Sequence, residues 1–544
     1  MISLLSSIIF TNTIYLLSGK LFSKKKIIDI KDFSEISLYG FIYISFLALL
    51  ANFFISLNST INSIIFFSIF LFYLFKKKSF KKKELITLIT ISLFCFFIIL
   101  FDTVYRPDAA LYHLPFTKIL NEEKIVFGLA NLHFRYGHIS IMQYSSAINN
   151  NYLFGDIGIL IPLISIYGFL TFYFIGDISN FLFKKNKKDL NHLSIFFSCL
   201  VLAYISYKIN RYGEFGNDAI GHLLFFYLIS KLINVKKIDY NDFKKIYLIS
   251  VFAILNKFTL IFSIFIPIFI FFKNKISFKK ATLSFPTILI CLWIFRNIIT
   301  SGCAFYPQVN LCLTDLKWSD KEEIILQSIS AEAWSKDWPN RKQKNISMEE
   351  YNKDFNWLND WKNNHFKKVK KILIPYLIFL FIIYLFFKIN IKKKIKINTN
   401  KYIFNLAFFV SLIGTLFFFL KFPIYRYGYS YLISSLILIW ILSIKFYNLE
   451  KLKKLSISIL FIFILSFFYK QTDRYIKFYE IRNPIPQIHN TEKKYKSIKF
   501  NESDYYNYTL NMNCMYDVNL CTRGPNENLI TKRKFTYKFF EVIN

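Results

Sequence analysis

Along the chain, blocks of 15 to 25 mostly apolar residues alternate with short lysine-rich breaks. That length matches the roughly 20 residues a helix needs to cross the hydrocarbon core of a bilayer. The pattern predicts spanning helices over 2–19, 37–57, 61–75, 85–101, 152–178, 190–207, 218–234, 281–297, 372–388, 402–420, 430–446 and 455–469. The stretch 246–272 is different. Its 27 residues are too few for two full crossings, yet the lysines at both ends, Lys244 and Lys245 before it and Lys273 and Lys275 after it, place those ends on one face. Two short helices meeting near Asn256 and Lys257 satisfy both conditions, provided that protein or a wet cavity satisfies the broken backbone. The predicted fold class is an all-α polytopic membrane protein of about 12–14 transmembrane helices.

The breaks set the orientation. Lysines cluster at Lys24–Lys26, Lys76–Lys83, Lys184–Lys188, Lys236–Lys245, Lys273–Lys280, Lys388–Lys401 and Lys445–Lys454, the pattern of cytoplasmic loops under the positive-inside rule. Placing all of them inside puts both termini outside, with 102–151, 208–217, 298–371, 421–429 and 470–544. The organisation is then N-terminal transmembrane helices over 1–84, a core over 85–297 that carries the external loop 102–151, an external loop over 298–371, C-terminal transmembrane helices over 372–469, and an external tail over 470–544. The first apolar block lacks a basic start and a small-residue cleavage site, so it reads as a retained helix.

Composition changes this picture little. The formal charge of +35 could indicate a nucleic-acid partner. The lysines sit between apolar blocks instead, and no soluble module interleaves a basic face with stacking aromatics, so no nucleic acid is expected. Three of the seven cysteines fall within predicted spans. The other four form two closely spaced pairs in external segments, Cys303 with Cys312 and Cys514 with Cys521. Such pairs suit disulfides in an oxidising compartment. The rival, a metal site, lacks C-x-x-C spacing with a matching pair of histidines.

The candidate chemistry lies outside. The first large external loop opens with Asp102 and reaches Asp108-Ala109-Ala110-Leu111-Tyr112-His113-Leu114-Pro115. Leu111, Leu114, Ile119 and Leu120, with Lys118, Glu122 and Glu123 between or beside them, predict an amphipathic helix lying on the membrane surface. A second helix is predicted from about His138 to Ala147. Asp108 then sits at the water–lipid boundary, either as a functional carboxylate or as the cap of that first helix. The five tryptophans of 298–371, Trp318, Trp334, Trp338, Trp357 and Trp361, fit either sugar stacking or interfacial anchoring.

The string Asp108 to Pro115, just after a predicted span, resembles the first periplasmic loop of GT-C glycosyltransferases, the superfamily of protein mannosyltransferase-like and aminoarabinose-transferase-like enzymes. Three further strings resemble a bacterial branch of it: Asn131-Leu132-His133-Phe134-Arg135-Tyr136-Gly137, Arg211-Tyr212-Gly213-Glu214-Phe215-Gly216-Asn217-Asp218, and Pro423-Ile424-Tyr425-Arg426-Tyr427-Gly428. The resemblance covers about 85–445 and leaves the tail out. It implies a GT-C-like plan with interfacial helices in the first external loop, and a site facing the periplasm of a bacterial inner membrane. The implied reaction is sugar transfer from a polyprenyl-phosphate donor to a glycan or lipid acceptor. Many members carry two adjacent acidic residues, whereas Ala109 follows Asp108 here, which weakens the case for a divalent metal; no other cofactor is implied.

Such a reaction needs a general base for the acceptor hydroxyl and cations for the phosphate that leaves. Asp108 is the first choice of base and Asp102 the second. Arg426, whose fork matches phosphate oxygens, and Lys257 are the main phosphate-binding candidates, followed by Arg211 and His113. Glu214, Asp218 and Arg135 are candidates for acceptor binding, with capping or ion pairing as their structural alternatives. Two other classes remain open: a transporter or flippase of lipid-linked saccharides, and a non-catalytic protein that keeps the fold.

Overall fold

A computed structural model describes residues 1–23, 25–76, 80–101, 108–183, 191–208, 215–235, 238–388, 395–396, 400–444, 446–480, 483–490, 494–500, 504–510, 513–526 and 528–542. Asp102, Arg211 and Glu214 lie outside them. The chain is predominantly helical. Its helices are α1 (Ile2–Phe22), α2 (Ile30–Asn52), α3 (Ser59–Phe75), α4 (Lys82–Ile99), α5 (Leu114–Glu122), α6 (Leu129–Leu132), α7 (Ile141–Ala147), α8 (Ile161–Phe183), α9 (His192–Lys208) and α10 (Asp218–Asn234). They continue with α11 (Tyr240–Asn256), α12 (Phe265–Lys273), α13 (Phe278–Thr282), α14 (Phe285–Ser301), α15 (Lys321–Ser335), α16 (Met348–Asn352), α17 (Leu358–Lys388), α18 (Lys401–Lys421), α19 (Tyr425–Ser443) and α20 (Leu449–Phe478). Among the described residues, six helical segments are long and apolar enough to cross a membrane: α1, α2, α8 with the turn before it, α17, α18 and α20. Each predicted span overlaps a helix.

Local sequence explains many of the boundaries. Asp29, Asn58, Ser140, Asp239 and Asp320 each accept a backbone N–H of the helix they precede, which satisfies a donor the helix cannot. The predicted break after Asn256 is present. Lys257 leaves α11 in an extended conformation, and the chain returns through a 3-10 turn over Phe258–Ile264 into α12. Asn274 Nδ2 donates to the Ile238 carbonyl at 3.0 Å, so both ends of this hairpin lie together. Packing between α1 and α2 depends on small residues. A Cβ on Gly19 would lie 2.0 Å from the Ile36 carbonyl oxygen, and one on Gly40 would lie 1.8 Å from that of Tyr15. Close backbone approach of this kind drives helix association where no hydrophobic effect operates.

The bundle has two ends of different chemistry. At the lysine-rich end, Lys20 pairs with Glu84 at 2.8 Å, Lys25 with Asp32 at 2.6 Å and with Glu35 at 2.5 Å. Lys231 also pairs with Glu35, and Lys31 with Asp177. Strands β1 (Ile395–Lys396) and β2 (Phe446–Tyr447) pair there too. At the opposite, loop-bearing end, the Gly128 N–H donates to the Ile299 carbonyl at 2.9 Å, joining the first loop to 298–371. The Phe127 N–H donates to the Lys538 carbonyl and the Phe540 N–H to that of Phe127, both at 2.9 Å, joining the loop to the tail.

Four expectations change. The helix predicted on the membrane surface is a π turn over Ala109–His113 that runs into α5, and α5 is buried in protein. It packs on α7, while the tail covers its polar side. Tyr516 Oη donates to Asn121 Oδ1 at 2.8 Å, and the Met515 N–H to the Ala110 carbonyl at 2.9 Å. The helix predicted from His138 is a 3-10 turn over Phe134–His138 and then α7, because Ser140 starts the helix with a capping box to Gln143. Among the described residues the tail has no helix beyond α20. It forms the sheet β3 (Lys496–Lys499), β4 (Tyr505–Tyr508) and β5 (Cys521–Thr522), then the hairpin β6 (Leu529–Lys534) and β7 (Tyr537–Val542), with Cys514 disulfide-bonded to Cys521. Finally, α17 starts at Leu358, inside the predicted loop, because Trp361 and Val369 bury a face of that polar extension in a small core with Trp357.

This arrangement predicts accessibility. In vesicles holding the chain with Cys291 replaced by Ser, Lys344→Cys and Asn528→Cys react with an impermeant maleimide from one side and Lys279→Cys from the other. Labelling of 279 together with 344 would contradict the two-ended bundle.

Candidate functional site

The loop-bearing end gathers five charged side chains into one chain of contacts. Asp108 stands at the start of the π turn and makes no capping bond. Its carboxylate accepts from Arg135 Nη1 at 2.7 Å and from Arg426 Nη1 at 3.1 Å. Arg426 Nε lies 3.7 Å from Asp218 Oδ2, and Asp218 Oδ1 pairs with Lys257. Three cations against two carboxylates leave one formal positive charge. Arg426 and Lys257 therefore pair with carboxylates rather than reaching away toward headgroups. The Lys257 side chain is 7% exposed and Arg426 42%, so the arginine is the cation a ligand meets first.

Each side chain is held from behind. The Arg426 carbonyl is 2.8 Å from His222 Nε2, and a carbonyl only accepts, so Nε2 carries the proton. Nδ1 then accepts from Ser430 Oγ at 2.7 Å. Trp361 Nε1 donates to the Pro423 carbonyl at 2.7 Å, fixing the turn that enters α19. Thr259 Oγ1 donates to the Tyr427 carbonyl at 2.8 Å, docking the turn after Lys257 on the same segment. Gly221 permits this approach, since its missing Cβ would stand 3.0 Å from the Lys257 Cβ. On the other flank the Arg135 guanidinium lies 5.1 Å from the centre of the Tyr112 ring, close enough for a cation–π contact.

Burial opposes the charge on Asp108, but Arg426 and then Arg135 outweigh it and hold the carboxyl below its usual 3.8. Burial pushes His113 down to about 4. Gln143 Nε2 donates to His113 Nδ1 at 2.9 Å and to Asn217 Oδ1 at 3.0 Å. A neutral His113 offers a hydrogen bond but no charge, which makes it a lesser phosphate ligand than Arg426 or Lys257.

The structure thus brings together Asp108, Arg135, Asp218, Lys257 and Arg426, with His113 one residue pair away, all chosen from sequence. Asp102, Arg211 and Glu214 fall outside the described residues. Cys303 is bonded to Cys312 and packs with Ala130 and Phe134 of the first loop. Among the described residues no group of three or more His, Cys, Asp or Glu is placed to hold a metal ion. The supporting residues His222, Gln143 and Asn217 were not selected, and Trp361 was named only for sugar stacking or interfacial anchoring, not for holding the turn at Pro423. His222 had a signal: a histidine one turn after Asp218 on an apolar helix. Of the tryptophans, Trp357 and Trp361 are buried and only Trp334, at 58%, is well exposed.

A family described as "Domain of unknown function (DUF8201)" matches residues 1–433, and the chain belongs to that family. No curated protein and no solved structure matches it.

Two outcomes follow for stability. Asp218→Asn leaves Lys257 buried without a counter-charge and lowers stability by about 1–3 kcal/mol in a thermal melt, while Asp218→Asn combined with Lys257→Met recovers most of that loss. For Asp108, a depressed folded pKa means that its pairs contribute fully above 3.8, the unfolded value. The gap in melting temperature between the native chain and Asp108→Asn therefore stays constant from pH 8 to 5. It closes as pH falls below 3.8 through the folded value.

Proposed function

We propose that this DUF8201 member is a membrane glycosyltransferase of the GT-C kind, moving a sugar from a polyprenyl-phosphate donor to a cell-envelope acceptor. The loop-bearing end faces the periplasm or exterior of a bacterial inner membrane, and the helices over the twelve predicted spans cross it together with the α11–α12 hairpin. One observation carries the reading. A carboxylate fit to be a base and an arginine fit to hold a phosphate, 318 residues apart in sequence, are in direct contact.

The geometry supports an order of events. With Arg426 and Arg135 on it, Asp108 is too weak a base for an alcohol. The donor's phosphodiester, itself a monoanion, competes for Arg426 and for Lys257, and its two free oxygens match the guanidinium fork. Arg426 then turns from Asp108, whose basicity rises where it is needed. The acceptor oxygen bonds to the anomeric carbon as its proton passes to Asp108. The bond from that carbon to the phosphate oxygen breaks, and its electron pair stays on the lipid phosphate, balanced by Arg426 and Lys257. Attack opposite to the leaving phosphate inverts the anomeric centre.

The ionic groups are also distributed as an enzyme needs rather than as a translocation path needs. Asp218 and Lys231 lie at opposite ends of α10, about 20 Å apart at 1.5 Å per residue, and Leu223–Phe226 between them are apolar and buried.

The test uses vesicles supplied with a radiolabelled polyprenyl-phosphate sugar and an envelope acceptor fraction. Asp108→Asn lowers transfer about 10²–10⁴-fold and Arg426→Ala about 10²–10³-fold, with membrane insertion unchanged. Undiminished transfer by Asp108→Asn removes Asp108 from the mechanism.

A further inference from the structure

Beside the charged cluster the loop-bearing end opens into a cleft of about 600 Å³, within the range of about 300–1,000 Å³ usual for small-ligand sites. Its inner wall is the first loop from Ala130 to Arg135. The start of α15, with Asp320 and Glu323, forms one side, and the tail closes the outside with Thr522, Arg523, Asn526 and Asn528. We propose that this cleft is the acceptor site and that it takes a hydrophilic glycan chain rather than a lipid, a proposal that rests on the glycosyl-transfer reading above.

Arg135 provides the connection. The side chain that lines the cleft is the one whose Nη1 touches Asp108 at 2.7 Å. A sugar hydroxyl emerging past Arg135 therefore arrives at the carboxylate. There it loses its proton to Asp108 while its oxygen forms the new glycosidic bond, and the electron pair of the broken bond leaves with the donor phosphate.

The lining selects the class of ligand. Nine of the fourteen lining residues are polar, and the apolar Ala130 and Leu132 are only 5% and 3% exposed. An acyl or prenyl chain would need a continuous apolar wall, whereas polar side chains come from all three sides here: Asn131, His133 and Arg135 from the first loop, Asp320 and Glu323 from α15, and Thr522, Arg523, Asn526 and Asn528 from the tail. Charge is balanced, since Arg135 and Arg523 are matched by Asp320 and Glu323. That balance disfavours a polyanion and suits an uncharged or zwitterionic chain. The Asn528 amide presents both donor and acceptor, the combination that neighbouring sugar hydroxyls pair with, and Asn131, whose Nδ2 donates to the Trp318 and Phe540 carbonyls at 3.1 and 3.0 Å, presents its side-chain oxygen. The rings of His133 and Phe134, stacked 5.0 Å apart, add a flat surface for the C–H face of a pyranose.

The full chain in nanodiscs, titrated with maltotetraose, chitotetraose and mannotetraose and read by saturation-transfer NMR, binds at least one of them. Arg523→Ala and Asn528→Ala, both at exposed positions, each weaken that binding at least fivefold. Absence of binding by all three oligosaccharides, or undiminished binding by both variants, overturns the proposal. A parallel titration with a short-chain prenyl phosphate depends on Arg426 and not on Arg523. Loss of the prenyl-phosphate signal with retained oligosaccharide binding removes the donor reading and leaves the cleft standing as a saccharide site. Retained prenyl-phosphate binding without oligosaccharide binding removes the cleft alone.

Discussion

Arg426 bridges two carboxylates that come from distant parts of the chain, Asp108 at the mouth of the first loop and Asp218 at the start of α10. A planar guanidinium with several donors can serve both at once, which a lysine's compact charge does less well. Without it the two carboxylates would face each other in a half-buried setting with only Arg135 and Lys257 to offset them. The turn that enters α19, the first loop, α10 and the tip of the α11–α12 hairpin therefore meet correctly only as a set. His222 and Trp361 hold the backbone around Arg426, so the position of the guanidinium is fixed by packing rather than by the ion pairs alone.

The opposite end of α10 has its own anchor. Lys231 pairs with Glu35 of α2, which also receives Lys25 and the Tyr227 hydroxyl. Asp177 of α8 receives Lys31 and the hydroxyls of Ser194 and Ser198. These buried contacts set the rotation of α10 against α2, and α8 against α9. They thereby set the direction in which Asp218 leaves α10 at the far end. Buried ion pairs add little net stability for their desolvation cost, and one geometric use for them here is to fix the rotation of a helix whose faces are otherwise uniformly apolar.

Much of this was legible in the sequence because both signals are coarse. Apolar blocks of spanning length mark helices whatever packs against them, and the lysine runs separate the ends. The residues of the cluster stood out because charge is costly in such surroundings, so Asp108, Lys257 and Arg426 were conspicuous by position. What stayed hidden was pairing. Nothing local links Lys257 to Asp218, 39 residues earlier, or Tyr516 to Asn121, 395 residues earlier. The fate of α5 was misread for the same reason. Its amphipathic pattern correctly reports two unlike surroundings, yet an interior and a covering tail satisfy that pattern as well as lipid and water do. The tail's strands were missed because they are short and held by a disulfide and by contacts to the first loop.

That cover has a consequence for biogenesis. At a synthesis rate of about 5–20 residues per second, the roughly 400 residues between α5 and its partners in the tail occupy about 20–80 seconds. During that interval water takes the places of the Met515 N–H at the Ala110 carbonyl and of the Tyr516 hydroxyl at Asn121 Oδ1. The outer wall of the cleft closes only once Thr522, Arg523, Asn526 and Asn528 have been made, so until then the first loop stays open on that side.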